Sequence, residues 1–143
     1  MTASMTIPVW VMLGFAGWTL AVLTGSIGVY RWSRILSGRA TIAGWRADAT
    51  QENEWYQRAT RAHMNCVENL PIYGAVALAT AVTGVGGREL DALALVFLAA
   101  RIGQSLVHIT RPQTEPVAAL RFGLYCVQVV CVVSMGVLVA LRA

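Results

Sequence analysis

Residues 1–30 carry no charged side chain at all. A soluble helix of that length needs a polar face toward water, so this run belongs in hydrocarbon. A bilayer core is ~30 Å thick and takes about 20 apolar helical residues to cross. Ile7 to Tyr30 meets that requirement and stops at Arg31; the run is too long for a cleaved signal, and no basic residue precedes it. Three more stretches follow the same logic. Asn69 to Gly87 is uncharged, and a helix starting near Glu54 extends it outward. Ala92 to Ile109 is apolar except for Arg101 and His108, and Val117 to Leu141 is interrupted only by Arg121. Composition agrees, with 57% hydrophobic and 13% charged residues. That is too little charge to cover a water-soluble surface, where about 25% is usual, and too apolar a chain for disorder. Glycine without a triplet period and only three cysteines exclude collagen and a disulfide scaffold.

The connections set the topology. Segment 31–53 is polar, with Arg31, Arg34, Arg39, Arg46, Asp48 and Glu52. Gly84, Gly86 and Gly87 mark a tight turn, and Pro112 and Pro116 end one helix and start the next. Short loops join antiparallel neighbours. The expected fold is therefore all-α: one domain over residues 1–143, an integral-membrane up-down bundle of four helices. Loops one and three hold Arg31, Arg34, Arg39, Arg46 and Arg111, joined by the helix-end residues Arg58, Arg61 and Arg121; the other side holds Arg88 and Arg142. The positive-inside rule then places loops one and three in the cytoplasm and both termini outside.

All eleven basic residues are arginine. The planar fork of arginine suits carboxylates and phosphates, although a GC-rich genome produces the same bias. The net charge of +4 comes without a basic run, a zinc spacing or an aromatic-basic platform, so no nucleic-acid partner and no metal are expected. Cys66, Cys126 and Cys131 sit in apolar stretches and read as small hydrophobes. Gly14, Gly17, Ala21, Gly25 and Gly28 form a small-residue stripe on the first helix that lets backbones approach closely, either within the chain or between subunits.

A charge deep in a membrane helix costs about 2.5–3.5 kcal/mol on insertion scales, so the polar residues inside the spans carry the information. Arg61, Asn65 and Glu68 share one helical face by their i, i+4, i+7 spacing, with Arg58 a turn before. Arg101, Ser105 and His108 repeat the spacing on the third helix, and Arg121, Tyr125 and Gln128 on the fourth. All three stripes lie toward one membrane boundary, with Arg101 deepest. Arginines beside one carboxylate and one amide suit a small anion that also bears an amine, and a peptide such as glutathione has that inventory. For Glu68, an intramembrane ion pair with an arginine serves equally well. His108, at a membrane boundary, reads as a capping or interfacial residue, and His63, off the stripe, as a surface one.

The segment Arg58-Ala-Thr-Arg61-Ala-His-Met-Asn65-Cys-Val-Glu68-Asn-Leu-Pro71-Ile-Tyr73 resembles the signature of the MAPEG family, membrane-associated proteins in eicosanoid and glutathione metabolism. The pattern Arg-Ala-x-x-Asn-x-x-Glu-x-x-Pro opens the second of four membrane helices there as here. The Arg101-to-Tyr125 segment is similar to bacterial members, and the likeness covers essentially the whole chain. It implies a homotrimer in a bacterial inner membrane. Glutathione, as co-substrate, would lie between subunits, and an apolar small molecule or lipid would enter from the bilayer. By the same resemblance Arg61, Asn65 and Glu68 bind the glutathione backbone and Arg121 is the catalytic residue that stabilises the thiolate. Tyr125 lines the site, and Arg31 matches by position an arginine that touches the peptide. Arg101, Ser105 and His108 stand where the third helix meets the glutathione. Two departures stand out: Asn69 follows the signature Glu where many catalytic members have Tyr, and the third helix lacks the tyrosines they bring to the peptide. The resemblance thus leads to a membrane glutathione transferase or peroxidase. The alternative is a non-enzymatic lipid-binding or scaffolding protein of the same fold. A small transporter is a third class, without an inverted repeat to support it.

Overall fold

The computed structural model describes residues 5–45 and 53–143; Arg46, Asp48 and Glu52 lie outside them. Within these residues four helices are long and apolar enough to cross a membrane: α1 (Ile7–Leu36), α2 (Glu54–Thr83), α3 (Arg88–Thr110) and α4 (Glu115–Arg142). α1 packs on α2 and α3, and α4 packs on α3 and α2. The directions alternate. Tyr56 at the start of α2 meets Arg31 near the end of α1, and Arg142 at the end of α4 hydrogen-bonds Glu89 at the start of α3. This is the up-down membrane bundle expected from the spans.

The helix ends follow local chemistry. α2 starts after Asn53, whose Oδ1 accepts from the Tyr56 backbone N–H at 2.8 Å. It ends at Gly84, which takes the left-handed conformation, φ 69°, that glycine adopts without steric cost. Pro8 and Pro116 sit in the first turns of α1 and α4, where a missing N–H costs nothing. Replacing Asn53 with Ala should leave that N–H without its cap and lower stability by about 1 kcal/mol. Chemical or thermal unfolding of detergent-solubilised Asn53→Ala against the wild type measures this.

Several boundaries differ from the sequence expectation: α3 starts at Arg88, not Ala92, and α4 at Glu115, not Val117. α1 runs past Tyr30 to Leu36, because Arg31 and Arg34 mark where the helix leaves hydrocarbon, not where it stops being a helix. α2 stops at Thr83, not Gly87, because the first glycine of the turn already takes the positive φ. Within α1, Leu23–Gly28 forms a π-helical turn. The hydroxyls of Thr19, Thr24 and Ser26 donate back to the carbonyls of Phe15, Leu20 and Val22, a pattern that bends helices.

The core is aromatic. Tyr73 and Phe97 stack with centroids 4.4 Å apart, Phe15 meets Phe97 edge-on at 5.4 Å, and Tyr73 Oη donates to the Pro8 carbonyl at 3.1 Å. The exterior is apolar too, with Val130, Val133, Val137 and Leu141 exposed along α4. Such a surface is unremarkable in lipid, where exposed aliphatic side chains carry no penalty. On α1, a Cβ at Gly14 would reach Leu98 at 3.5 Å, whereas Gly17 and Gly25 face nothing within 4 Å. The small-residue stripe therefore serves packing within the chain at only one of those three positions.

Candidate functional site

Helical spacing brings the polar stripes of α2, α3 and α4 to one groove of about 460 Å³. From α2 it takes Asn65, Glu68 and Asn69; from α3, Gln104 and His108; from α4, Arg121, Phe122 and Tyr125. The walls are joined by hydrogen bonds across three helices. Arg121 Nη1 lies 3.0 Å from His108 Nδ1, and Asn65 Nδ2 lies 3.2 Å from His108 Nε2. Gln104 Nε2 donates to the Arg121 carbonyl at 3.0 Å, and Gln128 Nε2 donates to Gln104 Oε1 at 3.1 Å. Asn69 is fixed by its own Nδ2, which donates to the Asn65 carbonyl at 2.8 Å.

The charges in the groove are not matched to each other. The ion pairs found among the described residues join Arg58 to Glu54 and Arg142 to Glu89; Glu68 is in neither and is exposed. Arg121 is half-buried, and its Nε has no hydrogen-bond partner among the described residues. A guanidinium with such a donor, in a groove that also holds a carboxylate outside the ion pairs among the described residues, is equipped to take an anion at one edge and a cation at the other.

The remaining sequence candidates lie outside the groove. Arg101 is 1% exposed, with its guanidinium carbon 5.8 Å from the Phe15 ring centroid. Its Nε and Nη2 find no hydrogen-bond acceptor among the described residues. Ser105 is equally buried; its Oγ donates to the Arg101 carbonyl at 3.0 Å and lies 3.5 Å from Cys66 Sγ. Arg61 lines a neighbouring depression of about 280 Å³ with Glu54, Arg58, Pro112 and Gln113. Arg31 belongs to an aromatic cluster: its Nε donates to Tyr56 Oη at 2.7 Å, and its guanidinium packs 5.1 Å from the centre of the Trp45 ring. The structure thus brings Asn65, Glu68, His108, Arg121 and Tyr125 together; within one chain Arg31, Arg61, Arg101 and Ser105 do not line the groove, although Arg61 and Arg101 lie within electrostatic reach of His108. His63, expected at the surface, is half-buried.

Asn69, Gln104 and Phe122 line the groove without having been marked as site residues in the sequence, where Asn69 figured only as a departure from the signature. The first two were detectable: Asn69 stands four residues after Asn65, and Gln104 four before His108, on the same faces. Phe122 carries no such signal. Beyond Asn69, Ile72 and Tyr125 the groove continues into a second, apolar one of about 220 Å³, walled by Phe97, Val129, Val132 and Val133. A polar pocket for an anion therefore adjoins an apolar lane on the flank of the bundle.

No curated protein and no solved structure matches this chain significantly. A family model does, over residues 7–141, and it is that of the MAPEG family.

Proposed function

The chain belongs to the MAPEG family, the membrane proteins of eicosanoid and glutathione metabolism, and on that footing we propose that it is a membrane-bound glutathione S-transferase or peroxidase. The observation that carries this reading is Arg121: a half-buried guanidinium whose Nε has no hydrogen-bond partner among the described residues, in a groove that also holds Glu68, which is in neither ion pair found among them, and that opens beside an apolar lane. In the reaction, Arg121 holds the glutathione sulfur as thiolate, the form that attacks. Glu68 accepts from the ammonium group, and Asn65, with Arg61 from the adjoining depression, binds the peptide's carbonyl and carboxylate groups. Tyr125 sits at the junction of the two grooves, against the sulfur. The apolar substrate lies along Ile72, Val129 and Val133.

In conjugation, the thiolate displaces a leaving group from carbon: a C–S bond forms as the carbon–leaving-group bond breaks. In peroxide reduction, it attacks the terminal oxygen of a hydroperoxide and the O–O bond breaks. The alcohol departs after taking up a proton, and a second glutathione reduces the sulfenic acid to a disulfide and water. In a homotrimer, Arg31 of one subunit can complete the site of the next, whereas Arg101 and Ser105 are buried within their own bundle. The protein works in the inner membrane with loops one and three in the cytoplasm. Titrating glutathione into the detergent-solubilised wild type should give saturable binding and a thiolate absorbance at neutral pH, where the free thiol, with a pKa near ~8.5, is mostly protonated. The absence of both signals in a folded sample refutes the reading. The apolar lane also fits a non-enzymatic lipid-binding protein. Lipid retained through purification, without thiol-dependent turnover of hydrophobic electrophiles or hydroperoxides, selects that alternative.

A further inference from the structure

His108 stands between the two groups that face the groove. It is 8% exposed on α3, with Arg121 Nη1 of α4 at 3.0 Å from Nδ1 and Asn65 Nδ2 of α2 at 3.2 Å from Nε2. We propose that His108 is a positioning residue that holds both Arg121 and Asn65 as hydrogen-bond donors toward the groove. The argument is one of donors and acceptors. A guanidinium only donates, and a neutral imidazole has one donor and one acceptor nitrogen. With Arg121 on Nδ1, that nitrogen accepts, and the ring proton sits on Nε2. Nε2–H then needs an acceptor, which on Asn65 is Oδ1. The two ends of a carboxamide have the same shape, and the hydrogen-bond network decides which faces where. We therefore assign the Asn65 amide with its ends exchanged, Oδ1 at the ring in the place of Nδ2 and the NH₂ toward the groove. A doubly protonated ring would oppose N–H to N–H at Arg121 and place two cations in contact, which the geometry disfavours.

The consequence is a polarity in what the groove accepts. Arg121 and Asn65 both present donors, so the ligand atoms beside them are acceptors, such as a thiolate, carbonyl or carboxylate. Glu68 is the acceptor left for the ligand's cationic group. This assignment of ligand polarity rests on the glutathione reading above. The state of the His108 ring does not.

The test has two arms. In ¹⁵N-histidine-labelled protein without glutathione, with His63→Gln to leave a single ring, the nitrogen shifts of His108 should report Nε2–H and an unprotonated Nδ1. The opposite tautomer, or an imidazolium at neutral pH, overturns the proposal. In the second arm, the thiolate fraction of bound glutathione is read by ultraviolet absorbance. His108→Leu should lower it about tenfold, the usual scale of a lost hydrogen bond to a charged group. His108→Asn, whose Oδ1 stands near the place of Nδ1 and can accept from Arg121, should restore most of it. His108→Gln, which reaches toward Asn65 instead, should not. The Asn and Gln variants keep the site polar, so their comparison holds even where Leu prevents folding; equal thiolate fractions in the two overturn the role. A wild type that shows the ε2 tautomer yet binds no glutathione refutes the transferase reading and leaves the positioning role standing.

Discussion

Arg121→Ala should return the thiol of bound glutathione to a pKa near ~8.5 and lower turnover by about 10–1000-fold at neutral pH. The range follows from the usual effect of an opposite charge at contact distance, about 1–3 pKa units. Glutathione affinity should change much less, by about threefold, because Asn65, Glu68 and Arg61 still hold the peptide; one lost contact at a site with several partners is a small part of the binding free energy. Arg121→Lys should fall between, since an ammonium keeps the charge but lacks the fork that reaches His108 and the sulfur together. Thiolate absorbance against pH, with binding isotherms on the same samples, separates the two effects. If Arg121→Ala keeps an undiminished thiolate signal, the guanidinium has no part in the chemistry.

Phe15→Ala should cost about 3 kcal/mol of stability, at the lower end of the range for buried aromatic truncations. Phe15 is fully buried and touches three partners at once: the Phe97 ring at 5.4 Å, the Tyr73 ring at 6.4 Å and the Arg101 guanidinium. In lipid little is gained by hiding apolar area, so the loss comes from dispersion contacts and from the ring face that balances a buried cation. Phe15→Leu keeps most of the volume and should cost about 1 kcal/mol. Unfolding in a graded detergent–denaturant mixture gives both values. Equal midpoints for Phe15→Ala and the wild type would show that the ring cluster does not hold the bundle together.

The membrane spans were legible because the bilayer imposes one simple rule, long runs without charge, and each of the four runs became a helix. What blurred was their limits. A charge such as Arg31 reports depth in the membrane, whereas a helix ends where a residue such as Gly84 adopts a positive φ, and the two need not coincide. The site was legible to the extent that spacing fixes a face: Asn65 with Glu68, and Arg121 with Tyr125, each came out together on one wall of the groove. Spacing does not fix how far each helix is rotated against its neighbours. Arg101 and His108 share a stripe, yet packing against Phe15 draws Arg101 into the core while His108 reaches the groove. Nor could spacing show that Arg31 would be held by Tyr56 and Trp45, since those partners come from another helix and a loop.

The π-helical turn at Leu23–Gly28 changes how the end of α1 is read. An extra residue wound into a helix advances all that follow by roughly 100° about its axis. Ser26 and Ile27 are both buried, whereas Val29, the next step of the upstream face, is 61% exposed. The inward side thereafter passes to Tyr30, Arg31 and Arg34, the residues that engage the aromatic cluster. The first helix is thus two screws joined out of phase, one keyed to the Phe15 core and the other to the Tyr56 cluster, and a single-residue deletion between Leu23 and Gly28 would disengage the second while leaving the first in register.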